Sequence, residues 1–111
     1  MSSTGHRTIT VVSEDRKFDV SIEKYDNGFF ISIFEGSKKL GATIMSIGTG
    51  PSPSSSTIIP IRDDAVFLKL VSQKIASEFR GICIVSLSVQ KELGSSAGKV
   101  LIEKITEAVR E

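Results

Sequence analysis

A chain of 111 residues, 40% apolar and 24% charged, suits a single globular domain with a real core. Fourteen basic residues against thirteen acidic ones leave a formal charge of +1, which offers no field to draw in nucleic acid or an anionic membrane. Cys83, the single cysteine, cannot form an internal disulfide and lies in an apolar strand, no Cys/His cluster has metal-ligand spacing, and His6, the single histidine, sits in a polar N-terminal segment that does not suit a Ser/His or Cys/His catalytic pair.

The start, Met1-Ser2-Ser3-Thr4-Gly5, has no apolar run and does not read as a signal peptide. No stretch approaches the roughly 18 apolar residues of a membrane span. The expectation is a reduced, soluble, cytoplasmic chain without a cofactor, in one domain spanning 1–111, with residues 1–7 as a disordered tail.

Residues 8–12, Thr-Ile-Thr-Val-Val, read as a first strand rich in β-branched side chains. Residues 17–25 alternate, with Phe18, Val20 and Ile22 on one side and Lys17, Asp19, Ser21 and Glu23 on the other. Asn27-Gly28 follows and predicts a tight hairpin turn with positive φ angles. The strand over 28–34 is apolar on both faces: Phe29, Ile31 and Ile33 line one, Phe30 and Phe34 the other. Such a strand must be covered twice, by the core and either by helices of its own chain or by a partner subunit. Residues 35–38 turn the chain, and a fourth strand over 40–47 gives an antiparallel meander.

The segment 48-GTGPSPSSST-57 contains only Gly, Thr, Pro and Ser and reads as a mobile loop, either a binding element or simply disordered. A short strand over 57–61 carries Pro60, which has no N–H and so marks an edge or an end. Asp63 and Asp64 stand where a helix wants acidic caps. Phe67, Leu68, Val71, Ile75 and Phe79 then recur at helical spacing up to Gly81, a suitable stop. Residues 82–89 form the last strand, apolar on both faces through Val85. A closing helix from about Ala97 carries Leu101, Ile105, Ala108 and Val109 on one stripe. Strand and helix order, β-β-β-β-β-α-β-α, predicts an α+β domain with a mainly antiparallel sheet and two amphipathic helices packed on it.

Strand, glycine-bearing loop, Gly98-Lys99 and helix invite comparison with a phosphate-binding loop, G-x-x-x-x-G-K-[ST]. Aligned on Gly98-Lys99, the first glycine position falls on Leu93 and the magnesium-binding hydroxyl position on Val100. Helix entry explains these residues more simply, with Ser95 or Ser96 as cap and Gly94 ending the preceding turn. The carboxylate pairs Glu14/Asp15, Asp63/Asp64 and Glu103/Glu107 have no buried basic partner, so the chain is not expected to be an enzyme.

The wording of three segments resembles the small proteasome-assembling chaperones, the third and fourth types of that family. They are 24-KYDNGFFISIFEG-36 with Leu40-Gly41-Ala42-Thr43-Ile44-Met45 after it, 55-SSTIIPIRDDAVFLKLVSQKIA-76, and 82-ICIVSLSVQ-90 with the amphipathic closing helix. The resemblance spans about residues 8–110. It implies a non-enzymatic chaperone that forms a homodimer, or pairs with a related subunit, and docks on proteasome α-subunits to guide α-ring assembly. It assigns Phe30, Phe34 and Val85 to self-association, and Pro51, Pro53 and Ser54 in the 48–57 loop to partner contact. Two other readings remain: a small ligand- or nucleotide-binding protein using the 48–57 or 94–99 loop, and a dimeric scaffold of the profilin or roadblock kind.

Overall fold

A computed structural model of the chain describes residues 4–111. Its elements are β1 (Gly5–Ser13), β2 (Arg16–Tyr25), β3 (Gly28–Phe34), β4 (Ala42–Ile47), β5 (Ser54–Ile59), α1 (Ala65–Phe79), β6 (Ile82–Ser88) and α2 (Gly94–Arg110). The α+β class and the element order are those expected from the sequence. Residues 1–3 of the expected tail lie outside the described residues, whereas Gly5, His6 and Arg7 pair with Lys24, Glu23 and Ile22 as part of β1. No described helix is long and apolar enough to cross a membrane.

The six strands form one sheet in the order β1-β2-β3-β6-β4-β5. Four of its pairs are antiparallel, and β3 with β6 is parallel. The meander therefore runs through β1, β2 and β3 but does not continue into β4, because β6 lies between them. β6 is apolar on both faces and takes the central position that such a strand needs. The chain reaches it from edge strand β5 through α1, which packs over β4 and β6.

Both helices cover the same face. α1 buries Phe67, Leu68, Val71 and Ile75, α2 buries Leu101, Ile105, Ala108 and Val109, and these meet Val20, Ile31, Ile33 and Val85 in one core. Each fully buried aliphatic side chain contributes about 1.5–3 kcal/mol relative to exposure. Phe79, 39% exposed at the end of α1, meets Phe29 edge to face at 5.1 Å. Within this layer a hydroxyl chain ties α1 to the sheet: Ser46 Oγ lies 2.7 Å from Ser72 Oγ and 2.8 Å from Ser55 Oγ, which accepts from Gln73 Nε2 at 2.8 Å. Ser55, read as part of a loop, is thus a structural residue of β5, and Pro60 lies just past the end of that edge strand.

The turns and caps differ from expectation in instructive ways. Positive φ falls on Glu14 (48°) and Asp15 (66°) in the β1–β2 turn, not on Asn27 or Gly28. Gly28 is required for another reason: a Cβ there would lie 2.0 Å from the Ile82 carbonyl oxygen, where β3 and β6 come together. Asp64 does precede α1, but with φ 61° its side chain does not cap that helix. Its carboxylate instead accepts the Leu93 N–H at 3.2 Å, serving the start of α2. Ser95 and Ser96 lie inside α2, which begins at Gly94 and has no side-chain cap. At the other end of α1, Arg80 rather than Gly81 takes the left-handed conformation. Gly81 is needed for close packing, since a Cβ would lie 2.4 Å from the Asn27 carbonyl oxygen.

Candidate interaction surface

With both helices on one side, the opposite face of the sheet is covered only in part: the β3–β4 connection lies over Ser86 and Thr43, where Gly41 N–H donates to Ser86 Oγ at 3.0 Å, and the remainder has no covering layer among the described residues. Register places Glu23, Phe30, Ile84, Met45 and Ser56 in one row across that face. The next row holds Tyr25, Gly28, Ile82, Ile47 and Ser54. The two rows create an apolar strip of Phe30, Ile84, Met45, Ile82 and Ile47, all half-buried by their neighbours, with Tyr25 51% exposed at its border. Polar side chains of β1 and β2 flank it, among them Thr10, which donates to the Asp19 carboxylate at 3.2 Å.

The three residues expected at a dimer interface separate here. Phe30 lies at the centre of the strip. Phe34 is on the same face, paired with Asp19 and Ser88, but is only 8% exposed within its own chain. Val85 is fully buried and points the other way, into the helix-facing core, so it has no surface to offer a partner. Its neighbour Ile84 occupies the uncovered face instead. An apolar run gives no parity of its own; only the pairing of Ile84 with Phe30 and Met45 shows which members face outward.

Pro51, Pro53 and Ser54 are exposed at the β4–β5 connection. Ser54 already belongs to β5, where it pairs with Ile47 at the end of the apolar strip. The connection is fastened at its base, with Gly48 N–H donating to the Gly81 carbonyl at 2.8 Å and Arg80 donating to the Thr49 carbonyl at 3.2 Å. The proline-bearing tip and the apolar strip therefore lie at one end of the same sheet.

The opposite end is held by an ion pair that the sequence did not reveal. Arg16 donates to both Glu35 oxygens, at 3.0 and 2.8 Å, and to the Glu92 and Lys91 carbonyls at 3.0 and 2.9 Å. Its guanidinium lies 4.9 Å from the Phe18 ring centre. The Arg16 hydrogen bonds hold the Glu35 carboxyl below its ordinary range, and Gln90 N–H adds a further donor at 3.0 Å. This knot ties the start of β2 and the end of β3 to the β6–α2 connection.

The 94–99 segment is the opening of α2 rather than a loop. Gly98 is buried there beside α1, where a Cβ would stand in ordinary contact with Phe67 Cδ1 at 3.5 Å. Burial pushes the Cys83 thiol up to about 12, which makes it an inert core residue. Among the described residues no three His, Cys, Asp or Glu side chains group as metal ligands.

The architecture is that of a two-layer α+β domain with one sheet face partly uncovered. The sequence matches no protein-family model and no curated protein. Its fold is shared with a chain of a novel chaperone complex for yeast 20S proteasome assembly, with a TM-score of 0.68 and 13% identity over 95% of each chain. At that identity the likeness establishes the architecture over almost the whole length, not the roles of individual residues.

Proposed function

We propose that this chain is a non-enzymatic protein-interaction module, a homodimeric chaperone that assists assembly of the proteasome α-ring in the cytoplasm. The observation that carries the reading is the uncovered apolar strip around Phe30, Ile84 and Met45, in a fold shared with a protein of a proteasome-assembly chaperone complex. Two such sheets pack face to face at about 10 Å, each filling the other's missing layer. Burying the strip removes apolar surface from water at about 25 cal/mol per Å². Phe30 is the anchor of this contact, and Phe34 supports the sheet behind it.

In the dimer the proline-bearing connections remain exposed and meet the assembling partner, a proteasome α-subunit. Pro51 and Pro53 restrict the loop before contact, which lowers the entropy lost on binding. The chaperone action is surface complementarity: the dimer holds an assembly intermediate until later contacts replace it.

Light scattering of the wild type and Phe30→Asp tests the self-association, with the variant expected to show half the mass at unchanged circular dichroism. Equal masses would remove the face-to-face contact. Capture of purified proteasome α-subunits tests the assembly role, with Pro51→Ala/Pro53→Ala/Ser54→Ala expected to lose capture while keeping the wild-type mass. Failure of the wild type to retain any α-subunit would remove the chaperone reading.

A further inference from the structure

The apolar strip occupies one end of its sheet face. Phe30, Ile84 and Met45 form one row, and Gly28, Ile82 and Ile47 the next, beside the β2–β3 turn. On the other side of the first row lie Ser86 and Thr43, which face the same way but are 0% and 4% exposed. Their cover is the β3–β4 connection, where Thr43 Oγ1 donates to the Gly41 carbonyl at 2.8 Å and Gly41 N–H donates to Ser86 Oγ. The face is thus a low apolar end beside a raised polar one.

Two copies that meet on this face are related by a twofold axis lying in the plane of contact. With the strands of the two sheets nearly aligned, that axis runs either along the strands or across them. An axis along the strands lays each row on the same row of the second copy, so the two raised connections collide, while sheets about 10 Å apart have room only for side chains. An axis across the strands, between the two apolar rows, sends each connection past the low end of the other sheet, beyond the bonded pair Gly48 and Gly81. Side-chain volume makes the same choice. The axis across the strands sets Phe30 over Gly28 of the second copy, Ile84 over its Ile82, and Met45 over its Ile47. Large then meets small, and medium meets medium, which fills the gap evenly. An axis along the strands sets Phe30 over Met45 and Gly28 over Ile47, crowding one row and leaving the other loose.

We propose that the second copy seats on the strip with its strands antiparallel, about a twofold axis that crosses the strands between Ile84 and Ile82, so that each Phe30 ring covers Gly28 of the other copy. The proposal rests on the homodimer described above and fixes which way round its partner sits.

A spin label on Lys17→Cys in the full chain reads the axis, since Lys17 is exposed on the same side of β2 and Cys83 is buried and silent. The proposed axis passes at the level of Lys24, seven residues along β2 from Lys17. At about 3.4 Å per residue and about 10 Å between sheets, it places the two labels about 45–50 Å apart. An axis along the strands through β6 separates them by four strand spacings of about 4.8 Å, giving about 20 Å. Double electron–electron resonance of the labelled protein is expected to show the longer distance, and Phe30→Asp in the same background is expected to abolish it. A distance near 20 Å overturns the orientation and leaves the homodimer standing. The longer distance surviving Phe30→Asp overturns the seating on the strip. No intermolecular distance at all removes the homodimer and the orientation with it.

Discussion

Replacing Glu35 by alanine removes the acceptor on which three donors converge. Two come from Arg16, at 2.8 and 3.0 Å, and one from the Gln90 N–H at 3.0 Å. The paired side chains are only 12% and 10% exposed, so water replaces little of what is lost. Breaking a buried pair by deleting one partner costs about 3–5 kcal/mol. Arg16 keeps its two carbonyl acceptors at Lys91 and Glu92, which places this case at the lower end, about 3 kcal/mol. For a domain of this size each kcal/mol lowers Tm by roughly 4 °C, giving a drop of about 12 °C.

The pH dependence supplies a second readout. Glu35 is held below its ordinary pKa by Arg16, so its contribution is fully present above the unfolded value, about 4.3, and is lost as pH falls through the lower folded value. Thermal melts of the wild type and Glu35→Ala should therefore be far apart at pH 7 and converge in acid. A loss below about 0.5 kcal/mol at pH 7, or parallel curves down to acid, would refute the assignment of this knot as a stabilising clamp.

Asp64 titrates in the opposite sense. Burial raises its carboxyl above the ordinary range while the Leu93 N–H opposes that shift, so the charged form is disfavoured in the fold and stability falls as pH rises through the raised value. Asp64→Asn keeps an acceptor for Leu93 and tolerates φ 61°, so it should hold stability within about 0.5 kcal/mol and flatten that slope in denaturant titrations, whereas Asp64→Ala should lose about 1–2 kcal/mol. Gly28→Ala places a Cβ 2.0 Å from the Ile82 oxygen and forces β3 from β6, with an expected loss of about 2–3 kcal/mol by urea unfolding; an unchanged midpoint would contradict the close approach. Cys83, buried and with its thiol pushed up to about 12, should resist thiol reagents in the native state and react only at the rate of unfolding; labelling as fast as a free thiol would contradict its burial.

The helices were legible because burial imposes a 3.6-residue period: Leu68, Val71 and Ile75 in α1, and Leu101 and Ile105 in α2, lie where their spacing predicts. The two-sided character of β3 was legible for the same reason at period two. Sheet order was not, because the pairing of β3 with β6 is set by a crossover through α1 and leaves no local signal. That gap also hid which of Ile84 and Val85 faces outward. The turns misled because two causes favour glycine. Gly28 and Gly81 serve close backbone approach; Gly36 and Gly94 do take positive φ, but so do Glu14, Asp15, Asp64 and Arg80, where sequence preference is weak. The Arg16–Glu35 knot joins residues 19 positions apart with no periodic mark, so only the fold could reveal it.

The role of the uncovered face is tested most directly by a photo-crosslinking side chain at its centre. Phe30→p-benzoylphenylalanine keeps an aromatic ring at the site and reports whatever lies against it. Irradiation of the purified protein at micromolar concentration should yield a covalent dimer whose linked peptides come from residues 28–34, 42–47 or 82–88 of the second copy. A chain that stays monomeric, or one that links only to α1 or α2 peptides, would contradict the account.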